Sequence, residues 1–345
     1  MYRLKSILLE RETLLTIGIF GLAQMVADLF SDAGYSAGAM ITRLAGIALV
    51  LAVLVASWLR KPSSLSVPLL LIEENKKEDA RARYHAFVKQ IGLGSSVREI
   101  GRVSPVREEE LYIRMTPTIR DTSAPEKWHE EFLRLIREWD EEVDERLYRW
   151  YPDYHSGLVY HLRPMVVLPM AFALGATVGL RRSVVLYHSS PQGSAYRVMD
   201  LREPRRVLEP PDQECPLQQI PEEIKPPEEK QRQLILHIVL SDHHFPDLSA
   251  HVEHQSAVNL ALYYNQRLPD SGEWLPYVQT VWQRVKPWIH AFQRVDICLI
   301  CPDAVAFALG MAFSGNPHIR VCHRIGTQYV PVVHLEWLKE YLAFT

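Results

Sequence analysis

Six polar clusters in this 345-residue chain stand at the ends of apolar runs of strand length. Glu74 and Asn75 follow "VPLLLI" (67–72), and Arg163 and Pro164 follow "GLVYHL" (157–162). His188 closes "SVVLYH" (183–188) and is followed by Ser189 and Ser190. Ser241, Asp242, His243 and His244 follow "QLILHIVL" (233–240), and Pro302 and Asp303 follow "VDICLIC" (295–301). His323 closes "HIRVCH" (318–323) and Arg324 comes next. Ligands of parallel sheets lie at the carboxyl ends of the strands, where helix N-termini offer free N–H groups. Arginines, histidines, hydroxyls and backbone donors gathered there suit phosphates and base edges. The competing reading is that strand ends carry polar residues because loops are solvated.

Other groupings point to weaker chemistry. "CLIC" spaces Cys298 and Cys301 as a metal pair would. Within a strand, however, positions three apart face opposite sides, and only Cys215 and Cys322 remain to complete a set. "WHEEFL" begins like a zinc-protease motif, but Leu133 occupies the place of the second histidine. His251 and His254, three apart on an expected helix, could share a metal, and His243 and His244 lie just before them. "IGLGSSV" (91–97) is a poor phosphate loop, and no nucleophile–base–orienter set stands out. The expectation is therefore no catalytic residue, no metal and no cofactor.

The elements that must position the strand ends form an α/β pattern. A charged helix is expected over 76–90, and a long amphipathic helix over 126–150, with Phe132, Leu133, Leu135, Ile136, Trp139 and Val143 at helical spacing. A helix over 164–179 is led by Pro164. The second half repeats the order, with helices expected over 250–266, 273–292 and 302–313. Between the halves, 203–233 holds seven prolines and many charges and reads as a linker. The word "AFALG" occurs at 171–175 and again at 306–310. At the same offset of 135, Leu186 matches Val321 and His188 matches His323. Repeated words motivate a search for a repeated unit, and the matching element order makes it a duplication. The alternative is that "AFALG" is simply a good buried helix ending in glycine. Two halves packed together would bring both sets of strand ends towards one cleft.

Ahead of this part stand two apolar runs, Thr13–Phe30 and Leu44–Leu59. A membrane-spanning helix needs about 20 apolar residues. Arg3, Lys5 and Arg11 precede the first run, and Arg60 and Lys61 follow the second. By the positive-inside rule this reads as a transmembrane hairpin with both ends cytoplasmic. A cleaved signal peptide, a buried core hairpin, or one span with one interfacial helix are the alternatives. A net charge of −3 and a pI near 6.5 exclude a protein that grips long nucleic acid through many phosphates. They leave room for a short or cyclic nucleotide. Three of the four cysteines (Cys298, Cys301 and Cys322) sit in apolar, strand-like runs and read as buried thiols of a reducing compartment.

The proline-led "CPDAVAFALGMAF", followed by a strand, preceded by a Trp-rich amphipathic helix and doubled within the chain, resembles the SAVED family. The resemblance covers 67–345 and is firmest over 270–335. It implies two fused CARF-like, Rossmann-type units that sense cyclic oligonucleotides in bacterial anti-phage signalling. The N-terminal hairpin resembles the membrane modules joined to SAVED domains in CBASS operons. The organisation implied is a transmembrane hairpin (1–61), a first CARF-like half (62–202), a linker (203–232) and a second half (233–345). The function implied is a receptor in the bacterial inner membrane, with both termini cytoplasmic. A cyclic di- or oligonucleotide binds it, drives it into a homo-oligomer and so perturbs membrane lipid. The ligand-binding set is Asn75, Arg163, Pro164, His188, Ser189, Ser190, Ser241, Asp242, His243, His244, Pro302, His323 and Arg324. Alternatives are a membrane-tethered ring nuclease or other nucleotide-processing enzyme, or an anchor or scaffold that regulates a partner.

Overall fold

The structure, a computed structural model, describes residues 21, 24–29, 31–35, 37, 40–48, 65–150, 157–190, 193–242, 244–270 and 273–338. It falls into two units, Met1–Ser63 and Ser64–Thr345. In the first, residues 24–29 and 40–48 are helical and Arg43 donates to Asp28 at 2.9 Å. Most of the two apolar runs lies outside the described residues. Among the described residues, no helix is long and apolar enough to cross a membrane. The expected inner-membrane placement is corrected on this ground. The described part of each apolar region also holds one member of the Asp28–Arg43 ion pair, a charge that a bilayer interior disfavours.

The second unit begins with β1 (Leu65–Glu73), α1 (Lys77–Gln90), α2 (Gly94–Val103) and β2 (Tyr112–Met115). It continues through α3 (Pro125–Arg137), a π-helical turn (Glu138–Asp144), α4 (Glu145–Trp150), β3 (Leu158–Met165), α5 (Leu168–Val178), β4 (Ser183–Ser189) and β5 (Ala195–Leu201). The second half holds β6 (Gln218–Ile220), β7 (Gln231–Leu240), β8 (Val258–Tyr264), α6 (Leu275–His290), β9 (Phe292–Ile300), α7 (Asp303–Phe313), β10 (Ile319–Ile325) and β11 (Gln328–His334). The sheets run β2-β1-β3-β4-β5 and β11-β10-β9-β7-β8-β6. Without β6, the two orders are the same. In each sheet only the last hairpin, β4–β5 or β10–β11, is antiparallel among these shared strands. The hairpin bulges also correspond, between Leu186 and Tyr187 in one sheet and between Val321 and Cys322 in the other, 135 residues on.

Helices α5 and α7 are apolar all round and fully buried from Pro169 to Val178 and from Ala304 to Phe313, as such helices must be. They pack on each other through the repeated word. A Cβ on Gly175 would lie 2.0 Å from the Phe307 carbonyl oxygen, and a Cβ on Gly310 would lie 2.0 Å from that of Phe172. Phe172 and Gly175 hold the same places in the first "AFALG" as Phe307 and Gly310 hold in the second. Each helix therefore presents its glycine to the other's phenylalanine, which is the reciprocal pattern of a two-fold contact. The word recurs because one crossing needs the same clearance on both partners.

Three expected elements differ. The run 250–266 forms short 3-10 turns and then β8, not a helix. Valine and tyrosines at 258, 263 and 264 suit a strand, and pairing with β7 over Leu234–Leu240 settles an ambiguous apolar run. Pro164 does not lead a helix. It lies within β3, opposite Leu71 of β1, and α5 is capped by Val167 with Pro169 in its first turn. The cap angles match those at Pro302 to within a degree, so Val167, not Pro164, is its counterpart. The expected linker contributes a 3-10 turn (Pro204–Leu208) and β6, which pairs with β8.

Candidate functional site

A cleft of about 320 Å³ opens where the carboxyl ends of β4, β7 and β9 meet the N-terminus of α7. His188 stands at the end of β4, Ser241, Asp242 and His244 follow β7, and Pro302 caps α7. Tyr196 on β5, Arg267 and Asp270 in the loop after β8, and Trp274 at the cap of α6 complete the polar and aromatic lining. Both halves thus contribute.

His188 is the hinge of the site. Its Nδ1 lies 3.2 Å from Asp303 Oδ1, and its ring sits 5.0 Å from Trp274 and 5.9 Å from Tyr196, edge-on to the latter. Asp303 also accepts the Ala304 N–H at 2.8 Å, so this carboxylate already occupies part of the α7 N-terminus. Trp274 is held from both sides: its Nε1–H donates to the Pro269 carbonyl at 2.8 Å, and its N–H donates to the Val198 carbonyl of the first half at 2.8 Å. Burial, with Asp270 adding to it, raises the Tyr196 phenol above its usual range. Arg267 pairs with Asp270 at 2.7 Å, and Ser241 Oγ and His244 Nδ1 lie 3.2 Å apart.

Next to His188, the Arg163 guanidinium is buried and hydrogen-bonds Ser189 Oγ, while its Nε has no partner among the described residues. Burial pulls its pKa down, and the nearby Asp303 opposes that. A buried cation with a spare donor, beside a partly buried imidazole and hydroxyl, is an anion-binding arrangement. Trp274, Tyr196 and His188 add aromatic faces of the kind on which bases stack.

Of the residues expected at the site, His188, Ser241, Asp242, His244 and Pro302 line the cleft, and Arg163 and Ser189 stand just beside His188. The others lie elsewhere. Asn75 turns the chain after β1, donating its N–H to Glu74 and accepting from Arg114. Pro164 is locked in β3. Ser190 closes the β4–β5 hairpin against Ser194. Arg324 is exposed in the β10–β11 hairpin, opposite Tyr329. His243 lies outside the described residues. His323 occupies the counterpart corner, 5.1 Å from Trp128, with Nε2 3.0 Å from the Arg120 carbonyl. Tyr196, Arg267, Asp270 and Trp274 were not foreseen; the one signal was the tryptophan-rich stretch that opens α6.

No protein-family model and no curated sequence relative matches the chain. Solved structures do. A Cap4 SAVED/CARF-domain receptor of Acinetobacter baumannii, solved with the cyclic trinucleotide 2'3'3'-cAAA, is 13% identical with a TM-score of 0.50. The match covers 85% of this chain and 56% of that one, so this chain spans little more than half its length. The same receptor with 3'3'3'-cAAA gives 13% and 0.48, again over 85% and 56% of the two chains. A Cap4 SAVED/CARF-domain receptor of Moraxella osloensis gives 10% and 0.43 over 91% of this chain and 73% of that one. At 13% identity the first of these likenesses shows the fold alone: mixed α/β with two parallel-rich sheets, consistent with two Rossmann-like units, similar to a Cap4 SAVED/CARF-domain receptor.

Proposed function

We propose that this chain is a receptor for a cyclic oligonucleotide, which it binds in the cleft between the two halves. The observation that carries the reading is the corner at His188, where a strand-end imidazole of one half meets a tryptophan and a helix N-terminus of the other, beside the buried Arg163. A base stacks on the aromatic faces, and a phosphate takes donors from His188, Ser241 and Arg163. The volume is at the lower end for small-molecule sites, so one nucleotide unit fills it and the rest of the ring lies over the lip. The fold shared with a receptor solved with a cyclic trinucleotide supports the ligand class. The setting is bacterial anti-phage signalling. Ligand binding acts by favouring self-association, which requires tighter binding to the assembled state than to the free one. The chain binds its ligand and does not cleave it.

Calorimetric titration with cyclic di- and trinucleotides, 2'3'3'-cAAA among them, tests the reading. Saturable binding that His188→Ala weakens supports it, and heatless titrations with every ligand refute it. Chromatography of the bound ligand separates receptor from nuclease, and sedimentation with and without ligand tests self-association.

A further inference from the structure

On the face of the second sheet that β7–β8 crossover residues cover, three groups meet that the ligand cleft does not use. His251, Cys298 and Cys322 are all buried, and their ligating atoms lie within 4.8 Å of one another. Cys298 and Cys322 are register partners on the parallel strands β9 and β10, and His251 bridges to Tyr329 of β11. A fourth group stands beside them: Asp296 Oδ2 is 3.3 Å from His251 Nε2, and Cys322 Sγ is 3.5 Å from the same nitrogen. With zinc–sulfur bonds near 2.3 Å and zinc–nitrogen and –oxygen bonds near 2.0–2.2 Å, a tetrahedral site has edges of about 3.3–3.8 Å. The two edges at His251 already have that length.

We propose that His251, Cys298 and Cys322 form a structural site for zinc, with Asp296, which touches His251 but stands outside the cluster of three, moving onto the metal as the fourth ligand. Two thiolates, an imidazole and a carboxylate are a closed set for this metal, with no position left for water, which marks a structural and not a catalytic centre. Charge balances: the cation and two thiolates cancel, and Asp296 keeps its partner Arg320, whose Nε–H donates to Oδ1 at 2.6 Å, while Oδ2, which accepts from Arg320 Nη2 and from Gln233 Nε2 at 2.9 Å in the metal-free arrangement, exchanges those donors for the metal. Such an outer partner orients the ligand. On binding, two zinc–sulfur bonds form and the two thiol protons leave to solvent. His251 Nδ1 accepts the Glu253 N–H at 3.0 Å in the metal-free arrangement, so Nε2 carries the ring proton. Ligation at Nε2 moves that proton to Nδ1 and gives up this hydrogen bond together with the Nε2–H contacts to Asp296 and Cys322, which the metal–ligand bonds replace, a bond set able to drive folding of whole metal-binding domains. The position has a structural use. The crossover 241–257 holds only short 3-10 turns where the first half has α1 and α2, and a staple at His251 would pin it.

Metal content decides the matter. The full chain, expressed with zinc and dialysed, is expected to hold one zinc per chain by mass spectrometry. Cys298→Ser and Cys322→Ser lose it, while Cys215→Ser and Cys301→Ser keep it. Replacement of zinc by cobalt should show a sulfur-to-cobalt charge-transfer band and tetrahedral visible bands, a readout on the folded wild-type chain that needs no variant. Well-folded wild-type protein with substoichiometric zinc and no cobalt–thiolate band, or with a Cys298–Cys322 disulfide, overturns the proposal. Neither result depends on the ligand cleft.

Discussion

The corner at His188 and the corner at His323 are built from the same parts and end differently. In each, a strand-end histidine of one half packs on a tryptophan of the other, at 5.0 Å for His188 on Trp274 and 5.1 Å for His323 on Trp128. Each indole donates to a loop carbonyl, Pro269 in one case and Thr122 in the other. At His188 the ring meets the Asp303 carboxylate and a cleft walled by the residues after β7. At His323 the 3-10 turn Pro117–Asp121 takes that space: the Arg120 carbonyl meets the ring, and the Arg120 side chain pairs with Glu73. Burial then pulls the His323 pKa down. Duplication supplies two equal corners, and the crossovers decide which one stays open.

The strongest way to break the comparison is at the seam that the halves share. Gly175→Ala and Gly310→Ala each drive a methyl into the partner helix's backbone. Each should cost about 3 kcal/mol, the upper end of the overpacking range, read as a fall in the urea midpoint. A large loss for one and none for the other would show that the crossing is not reciprocal.

Acid should strike both sheets. Burial, aided by the charge on Arg202, lowers His161 to about 4, and burial with His251 lowers His237 to about 4. In the unfolded chain both titrate near 6.5. Above that pH neither state is protonated and there is no effect. As pH falls from about 6.5 to about 4 the unfolded state alone takes up protons, so stability drops. For the nearly inaccessible His237 the drop is roughly 3 kcal/mol; for the half-buried His161 it is smaller. His237→Gln should flatten the acid limb of a stability–pH curve more than His161→Gln, and equal curves would contradict this difference.

At the corners themselves, His188→Ala should weaken cyclic-nucleotide binding about tenfold, within the 1–3 kcal/mol of a base-stacking contact. His323→Ala should leave it within about twofold. Equal losses in calorimetry would mean that both corners hold ligand. An effect smaller than that of His188→Ala and opposite in sign is expected at Asp303→Asn, which removes the carboxylate competing at the α7 N-terminus. Affinity for a phosphate-bearing ligand should rise by about two- to fivefold, the size of an exposed charge interaction.

Much of this architecture was legible in the chain. The buried strands declared themselves as short apolar runs, and the repeated "AFALG" marked the duplicated helix. Strand alternation rightly set Cys298 apart from Cys301, yet it was silent about Cys322, which becomes a neighbour only through the β9–β10 register. His251 and His254 looked like partners on a helix; the segment is not helical, and His251 turns instead to Asp296 and Cys322. Five of the thirteen expected ligand residues line the cleft, because strand-end logic locates an edge of the sheet but not which part of that edge is open.

Local order in the chain sufficed for the α/β class and the doubling, since these follow from side-chain periodicity and from a repeated word in a repeated element order; that each glycine seats the other helix's phenylalanine carbonyl came only from the packing. The pairing of His188 with Trp274 and Asp303 joins residues 86 and 115 positions apart. Nothing in local spacing encodes such a meeting. It arises when two all-apolar helices must bury every face, against each other, against the sheets and under side chains such as Trp139 on Phe307 and Trp282 on Phe313.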